Sequence, residues 1–233
     1  MVAFSGCIET PDAQAARISN DLLTLYGWEQ IGDTVYERHN HSVMGMFDVS
    51  VNIAKISYRN VDIVDNITNQ IDVQIKLIKE AQNIPPDAKL PDVPQYNITC
   101  NISTIDTIRI TSPAGIELPS EAILEVINPM IEAMLVQFNI VGFEKINTTE
   151  LIIDDNSIAI LDTYTGKILI DDTLMNVNIF IATWAASGSN IVVIGSVPTG
   201  EMEVKRILDV PIVVTIDGNQ EMYEMIDMVK SIT

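Results

Sequence analysis

The sequence predicts an α+β fold in which antiparallel sheets are covered by helices. Long stretches of the second half alternate between apolar and polar residues, which is the period of a strand. Two other segments, at 120–138 and 220–231, repeat apolar residues at helical spacing. A polar turn at 186–190 joins two of the alternating stretches in the manner of a hairpin. Together these patterns favour antiparallel pairing with helices on the outside.

In the first half, the sequence predicts a helix over residues 11–26. Thr10 suits the N-cap, Pro11 suits the first helical position, and Gly27 suits the stop. Residues 44–58 alternate as a strand with Phe47, Val49, Val51 and Ile53 on one face. Its remaining apolar residues, Ile56 and Tyr58, fit the same face only after a slip of one residue.

The segment from 61 to 83 fits both a helix and a strand, because its isoleucines satisfy either spacing. A proline-rich connection at 85–94 predicts a loop, and strand character returns at 96–111. The helix at 120–138 contains Pro129. The other predicted strands are 151–153, 157–170, 176–184, 191–197 and 211–216. A short helix is predicted at 201–208 and a closing helix at 220–231. In the closing helix we expect Met222, Met225, Ile226 and Val229 to pack in the core.

An internal repeat is the next feature. The segment 27–34 resembles 142–149, with the glycine, a glutamate, an isoleucine and a threonine identical and an aromatic residue matched. The match predicts two duplicated halves. The expected organisation is a residual signal and tether at 1–10, an N-terminal half at 11–118 and a C-terminal half at 119–233, with one compact unit as the alternative.

Charge excludes several partners. The chain carries 32 Asp and Glu against 13 Lys and Arg, a net charge of −19, and 47% of its residues are hydrophobic. Such a surface repels phosphate backbones, so nucleic-acid binding is not expected, nor is docking on anionic lipid through a basic patch. No apolar stretch approaches the roughly 18–20 residues that a membrane-spanning helix needs.

The start of the chain predicts where the protein is located. Phe4-Ser5-Gly6 directly precedes Cys7, as in the site that a lipoprotein signal peptidase cleaves, and a polar run follows. Too few residues precede Cys7 for a complete signal, which needs an apolar stretch of roughly 7–15 residues. We expect lipid attachment at Cys7, whereas Cys100 reads as a buried, inert thiol. Five Asn-x-Ser/Thr sequons fit an exterior protein: Asn40, Asn66, Asn97, Asn101 and Asn147.

One group of side chains has the chemistry of a metal site. Glu37, His39 and His41 alternate, so on a strand all three would share one face, and two imidazoles with a carboxylate can hold a divalent transition metal. A solvated loop is the competing interpretation. The acidic pairs at 154–155 and 171–172 could bind Ca²⁺, although turns explain them better. Phosphate-binding loops, nucleophile elbows and zinc-binding motifs are absent from the sequence, so no enzyme activity and no cofactor are expected.

The chain resembles a family of archaeal surface lipoproteins of uncharacterised function. The matching pieces are Phe4–Cys7, Gly27–Glu29 and above all Thr163–Gly200, where two paired strands surround a polar turn. The resemblance implies an archaeal protein held on the outer face of the cell membrane, and it implies no reaction. The shortened signal and the proline-rich region at 85–94 depart from the family pattern.

Three functions follow as hypotheses. The first is an extracytoplasmic, lipid-anchored module that binds a ligand or an envelope partner without catalysis. The second is a metal-binding protein or metal-dependent enzyme that uses Glu37, His39 and His41. The third is a structural subunit of a surface layer or filament. A cytoplasmic location is the alternative to the cell surface.

Overall fold

The computed structural model of the chain describes residues 10–43, 47–88, 103–113, 117–170 and 173–233. Strands account for 50% of the structure and helices for 29%, so the molecule is mostly sheet with some helices. In chain order the elements are α1 (Asn20–Leu25), β1 (Trp28–Val43), β2 (Phe47–Asn60), α2 (Asp62–Ala81), β3 (Thr104–Thr111), α3 (Ser120–Gln137), β4 (Ile140–Ile152), β5 (Ile158–Ile170), β6 (Thr173–Ala186), β7 (Ser189–Ile207), β8 (Val210–Ile216) and α4 (Gly218–Lys230).

The eight described strands form one sheet in which every pair is antiparallel, as the sequence predicts. Its order is β1-β2-β3-β7-β6-β5-β4, and β8 pairs with the end of β7 that extends beyond this row. The strands of the two sequence halves meet where β3 pairs with β7. A continuous sheet therefore spans the predicted boundary at residues 118 and 119, which lies between β3 and α3.

Helices cover both faces of the sheet. We call the face that packs against α1 and α4 the front face; it carries Tyr58, Phe180 and Trp184, all buried. The opposite, back face carries Ile108, Ile181 and Ile194 and packs against α3, while α2 covers the back of the β8 end. The buried α4 residues Met225 and Val229 lie in the front core, which confirms their predicted role.

Strand β2 explains the apparent slip in its apolar pattern. Its pairing with β3 is continuous from Asn52 to Arg59. Val51 and Ile53 lie in the back core, whereas Ile56 and Tyr58 lie in the front core. The predicted slip is wrong, because a strand that is buried on both faces needs apolar residues of both parities.

The predicted helix over 11–26 is much shorter than expected, because α1 covers only Asn20–Leu25 and its N-cap is Ser19. Thr10 donates from Oγ1 to the carbonyl of Ser50 at 3.0 Å. The Asn52 amide donates to the carbonyls of Thr10 and Pro11 at 3.1 and 2.8 Å. These bonds to β2 hold residues 10–19 as a non-helical segment along the sheet, which we call the N-terminal arm.

The structure decides two other predictions of secondary structure, for the regions 61–83 and 201–208. The ambiguous region forms the helix α2, with Ile63, Ile67, Ile71 and Ile78 buried. The short helix predicted at 201–208 is wrong, because this segment continues β7 and pairs with β8 from Gly200 onwards. Alternation of buried Met202 with exposed neighbours in a two-residue period is the local sign of that strand.

The two segments of the internal repeat occupy different positions in the fold. Gly27 follows α1, whereas Gly142 lies inside β4 at an irregularity of its pairing. Trp28 is buried in the front core. Phe143 instead stacks on Tyr164 with ring centroids 4.5 Å apart and packs against the back core. Both glycines have positive φ, 68° and 65°, which favours glycine at these positions.

Candidate functional site: an arginine-lined cavity

A cavity of about 950 Å³ opens beside the N-terminal arm. One wall is the arm itself, from Asp12 to Arg17, and the opposite wall comes from β1 and β2. The side chain of Arg109 reaches it from β3, and Thr233 closes one end. The full lining is Asp12, Ala13, Gln14, Ala15, Arg17, Tyr36, Glu37, Arg38, Asn52, Ile53, Arg109 and Thr233.

Three arginines line this cavity in a chain that has only 13 Lys and Arg in total. They come from separate elements: Arg17 from the N-terminal arm, Arg38 from β1 and Arg109 from β3. Within the described ranges, none of the three lies within ion-pair distance of a carboxylate, whereas Lys55, Lys145 and other cations do. Three of the few basic side chains of an acidic protein therefore lie in one place, together with Asp12 and Glu37 but in no ion pair with them.

Arg109 is the central member of the group. Its strand lies in the interior of the sheet, where Arg109 is paired with Ala54 on β2 and with Ile191 on β7. Its Nε atom is buried and has no hydrogen-bond partner in the described part of the protein. Burial lowers the pKa of its guanidinium from the ordinary value, yet a guanidinium remains protonated in proteins. A buried donor without a hydrogen-bond partner is destabilising, and an anion that accepts from Nε would offset that cost.

The other two arginines are held differently. Arg38 donates from Nε to the hydroxyl of Ser50 at 3.2 Å, which turns it along the strand pair. The backbone of Arg17 exchanges two hydrogen bonds with Thr233, at 3.3 and 3.2 Å. Its neighbour Ala16 accepts a bond of 2.7 Å from the hydroxyl of Thr107. The arm wall is thus fixed by the sheet and by the C-terminal residue, so the cavity is formed before any ligand arrives.

The lining combines cationic, acidic, amide and apolar residues. Guanidinium groups, the amides of Gln14 and Asn52, and apolar Ala13 and Ile53 surround the space. The lining residues of this described cavity include no Ser, Cys, His or Lys, the usual nucleophiles and bases. Fixed guanidinium groups form strong, often bidentate hydrogen bonds with carboxylates and phosphates. The arrangement therefore has the donors to hold an oxyanion.

A second, smaller groove provides a contrast. It has a volume of about 370 Å³ and lies on the back face between α3 and the first three strands. Its charged floor is neutralised internally, because Lys55 lies 2.7 Å from the carboxylate of Asp106, which also accepts a 2.5 Å bond from Ser57. Glu37, the other charged residue in the lining, lies 2.7 Å from His39.

The metal-site residues from the sequence are partly brought together. Glu37 Oε2 and His39 Nε2 lie 2.7 Å apart on β1, and both side chains are exposed. His41 pairs through its backbone with Val49, and its side chain lies outside the described residues. Among the described residues no three potential ligands cluster around one point. The metal site stays a prediction.

Other predicted site residues fall into two groups. Asn40, Asn66 and Asn147 are exposed on β1, α2 and β4. Outside the described residues lie Cys7, Cys100, Asn97, Asn101, Asp171 and Asp172. The acidic pair at 154–155 forms a turn, as expected: Asp155 accepts a 2.8 Å bond from the backbone of Ser157, and Asn156 has a φ of 67°.

The sequence did not single out Arg17, Arg38 or Arg109. One local signal is present in the sequence. Arg109 lies between Ile108 and Ile110 in a strand of a chain that has few basic residues. A charge in the interior of a buried strand requires a reason. The other two arginines are brought to the cavity only by the pairing of β1 with β2 and by the docking of the N-terminal arm.

Comparison of the chain with models of protein families, with curated proteins and with solved structures gave no match. Among the described residues, no helix combines the length and the apolar character needed to cross a bilayer.

Proposed function

We propose that the protein is a non-enzymatic binding module on the outer face of a cell membrane, and that its ligand is a small anion held in the arginine-lined cavity. The observation that carries the proposal is the Nε atom of Arg109, which is buried beside the cavity and has no hydrogen-bond partner in the described part of the protein. A buried donor that is left unsatisfied is expected to lower the stability of the fold. It is explained if an anion in the cavity supplies the missing acceptor.

The class of ligand follows from the donors. Three guanidinium groups from three separate elements can surround an oxyanion and donate to several of its oxygens. Phosphates and carboxylates both fit these donors, since each presents a pair of oxygens that the planar guanidinium group can bond with two of its N–H groups. Asp12 on the arm and Glu37 on β1 add two acidic side chains to the lining, against three arginines.

Membrane anchoring through Cys7 is part of the proposal. Support comes from the Ser-Gly-Cys sequence and from the resemblance to archaeal surface lipoproteins. Asn40, Asn66 and Asn147 are exposed, as sugar attachment in an exterior protein requires. The residues that follow Cys7 lead directly into the N-terminal arm, which forms a wall of the cavity.

Duplication of one ancestral unit is a further element of the proposal. In each half a helix is followed by an outer strand of the sheet and then by a second strand. Both outer strands contain a pairing irregularity next to a glycine of positive φ, Gly32 in β1 and Gly142 in β4. This relation would align the glycines of the two irregularities, rather than Gly27 with Gly142.

The metal-binding hypothesis is the second candidate. The 2.7 Å contact between Glu37 and His39 supports it, because these two side chains already converge on one side of β1. Metal analysis of the full chain and of a double variant, His39→Ala with His41→Ala, tests it directly. Equal metal content in both proteins would remove the hypothesis.

A thermal-unfolding series tests the leading function. Inorganic phosphate, sulfate and citrate are titrated into the full chain at constant ionic strength, with chloride as the reference. A ligand that binds only the folded state stabilises it by RT ln(1 + [L]/Kd), so the unfolding temperature rises with ligand concentration. We expect at least one oxyanion to raise it in the native chain, and Arg17→Gln to reduce the effect. Equal responses to every anion would contradict the proposal.

A further inference from the structure

The proposed lipid attachment site and the cavity are separated by a short length of chain. Thr10 is fixed to the sheet by its bond to Ser50 and by the bond from Asn52. Cys7 precedes it by three residues, and an extended chain spans at most about 3.6 Å per residue. The Cα atoms of Cys7 and Thr10 therefore lie no more than about 11 Å apart. A lipid on Cys7 would hold the arm wall of the cavity close to the bilayer surface.

The distribution of charge favours the same orientation. The protein as a whole carries a net charge of −19, whereas the lining of the cavity beside the arm has three arginines against the two acidic residues Asp12 and Glu37. Near a surface that presents anionic groups, an acidic body is repelled and the cationic cavity is attracted. Both effects turn the cavity towards the membrane to which the chain is attached.

From these two relationships we infer that the ligand of the cavity is the phosphate of a lipid headgroup in the same membrane. The inference rests on the proposed function, including lipid attachment at Cys7. Lipid phosphates are the oxyanions at highest local concentration for a protein held so close to a bilayer. A tether of this length makes their binding effectively intramolecular, so millimolar intrinsic affinity suffices.

The walls of the cavity are suited to such a group. Arg109, at the floor, offers a buried donor to the phosphate. Gln14 supplies an amide, and Asn52, whose Nδ2 already donates to Thr10 and Pro11, supplies its Oδ1 acceptor for the polar part of a headgroup. The exposed Tyr36 also lines the cavity. An amphipathic tyrosine at this place is suited to the interface between water and lipid. Binding of one headgroup needs no extended basic patch, which the sequence lacks.

The test reproduces the tether. The full chain with Cys100→Ser is coupled through Cys7 to a maleimide lipid in vesicles of digalactosyldiacylglycerol, which contain no phosphate. Matched vesicles contain phosphatidic acid, or oleate as a source of negative charge without phosphate. Hydrogen exchange of the backbone amides at 12–18 reports occupancy of the cavity. Inorganic phosphate, added to the phosphate-free vesicles, serves as the soluble ligand.

We expect phosphatidic acid, but not oleate, to slow exchange in the arm by about tenfold. Arg109→Gln and, separately, Arg17→Gln should remove the effect, whereas Arg206→Gln should keep it, since Arg206 pairs with Glu203 outside the cavity. Two separate variants that each remove one positive charge are used, so that the test still works if one of them does not fold.

Each other result is decisive. Slowing by inorganic phosphate without slowing by phosphatidic acid would overturn the lipid inference and leave the anion-binding function in place. Equal slowing by oleate, or slowing that both cavity variants retain, would show attraction to the surface rather than binding in the cavity. Absence of any response to either phosphate source would overturn the phosphate ligand altogether, and the citrate arm of the thermal series would then decide whether the cavity binds anions.

Discussion

The side-chain amide of Gln74 pairs with both backbone polar groups of Val213. Its Nε2 donates to the Val213 carbonyl at 2.5 Å, and the Val213 N–H donates to Oε1 at 3.0 Å. One helical turn earlier, Gln70 makes the same pair of bonds with Thr215, at 2.9 and 2.8 Å. Two amides of α2 thus satisfy alternate residues of β8 as a neighbouring strand would.

Replacement of Gln74 by alanine should show how much the stability of the fold depends on these hydrogen bonds. Loss of two hydrogen bonds leaves a partly buried N–H and C=O of Val213 without partners, so we expect a loss of about 1–3 kcal/mol in the free energy of unfolding. Urea denaturation measures it. Gln220→Ala is the control, because Gln220 bonds only the nearby Glu224 through its side chain and is exposed. Equal effects of the two substitutions would contradict the role of the amide pairing.

Stability should fall as pH rises because of Glu221. Burial raises the pKa of this carboxyl from 4.5 to about 7, with Glu224 and Asp62 adding to the rise, while a 2.6 Å bond from Asn60 opposes it. Since the pKa is higher in the folded state, the stabilisation is complete below pH 4.5 and is lost as pH rises through about 7.

The Glu221→Gln variant tests this pH dependence. The shift corresponds to about 3 kcal/mol at 1.36 kcal/mol per unit, and solvent exposure of the group reduces that to about 1–2 kcal/mol. Between pH 5 and 8, in chemical denaturation, the native chain should therefore lose about 1–2 kcal/mol more than the variant. Glu150→Gln, on the exposed edge strand β4, is the control and should keep the native profile. Identical profiles for the native chain and Glu221→Gln would refute the assignment.

Gly195 leaves the space for the ring of Phe180. The two residues are directly paired between β6 and β7, and a Cβ built on Gly195 would overlap the ring. Phe180 is fully buried, so the ring has little room to move. We expect Gly195→Ala to lower the free energy of unfolding by about 3 kcal/mol.

A double-mutant cycle separates this overlap from other effects of the substitution. Phe180→Leu removes the ring, so the double variant should be more stable than the sum of the two single effects predicts, by about 1–2 kcal/mol. Strict additivity would show that the cost of Gly195→Ala arises elsewhere.

The intact mass of the native protein, extracted from its source membranes, tests the proposed lipid attachment and location. We expect a chain that starts at a lipid-modified Cys7, with or without added sugars. An unmodified chain that starts at Met1 in the soluble fraction would make the Ser-Gly-Cys sequence a coincidence. The lipid-headgroup inference would then lose its basis, whereas the anion-binding cavity would not.

Local signals made parts of the fold predictable from sequence. The closing helix was one of them, since Asp217 caps α4 by accepting bonds from the N–H groups of Asn219 and Gln220. The strands at 157–170 and 211–216 were also found within one residue of their ends. In such elements the cap, the turn and the apolar period all lie within the segment itself.

Long-range contacts explain what the sequence did not show. Thr10 and Pro11 have the local pattern of a helix start, but hydrogen bonds with Ser50 and Asn52 hold them in another conformation. The arginine-lined cavity is harder still to foresee. Arg17, Arg38 and Arg109 converge only through strand register and docking of the arm, and neither is encoded by spacing along the chain.

The most direct test of anion binding in the arginine-lined cavity is a pair of measurements on Arg109→Met. This substitution keeps much of the side-chain length and removes the charge. Isothermal titration of inorganic phosphate and citrate, together with urea denaturation without ligand, is made on the native chain and the variant. We expect the variant to bind at least about tenfold more weakly and to be more stable by about 1 kcal/mol, because a binding cation without its ligand is a cost to the fold. Unchanged affinity, or a variant that is markedly less stable, would mean that Arg109 supports the structure and that the cavity is not the binding site.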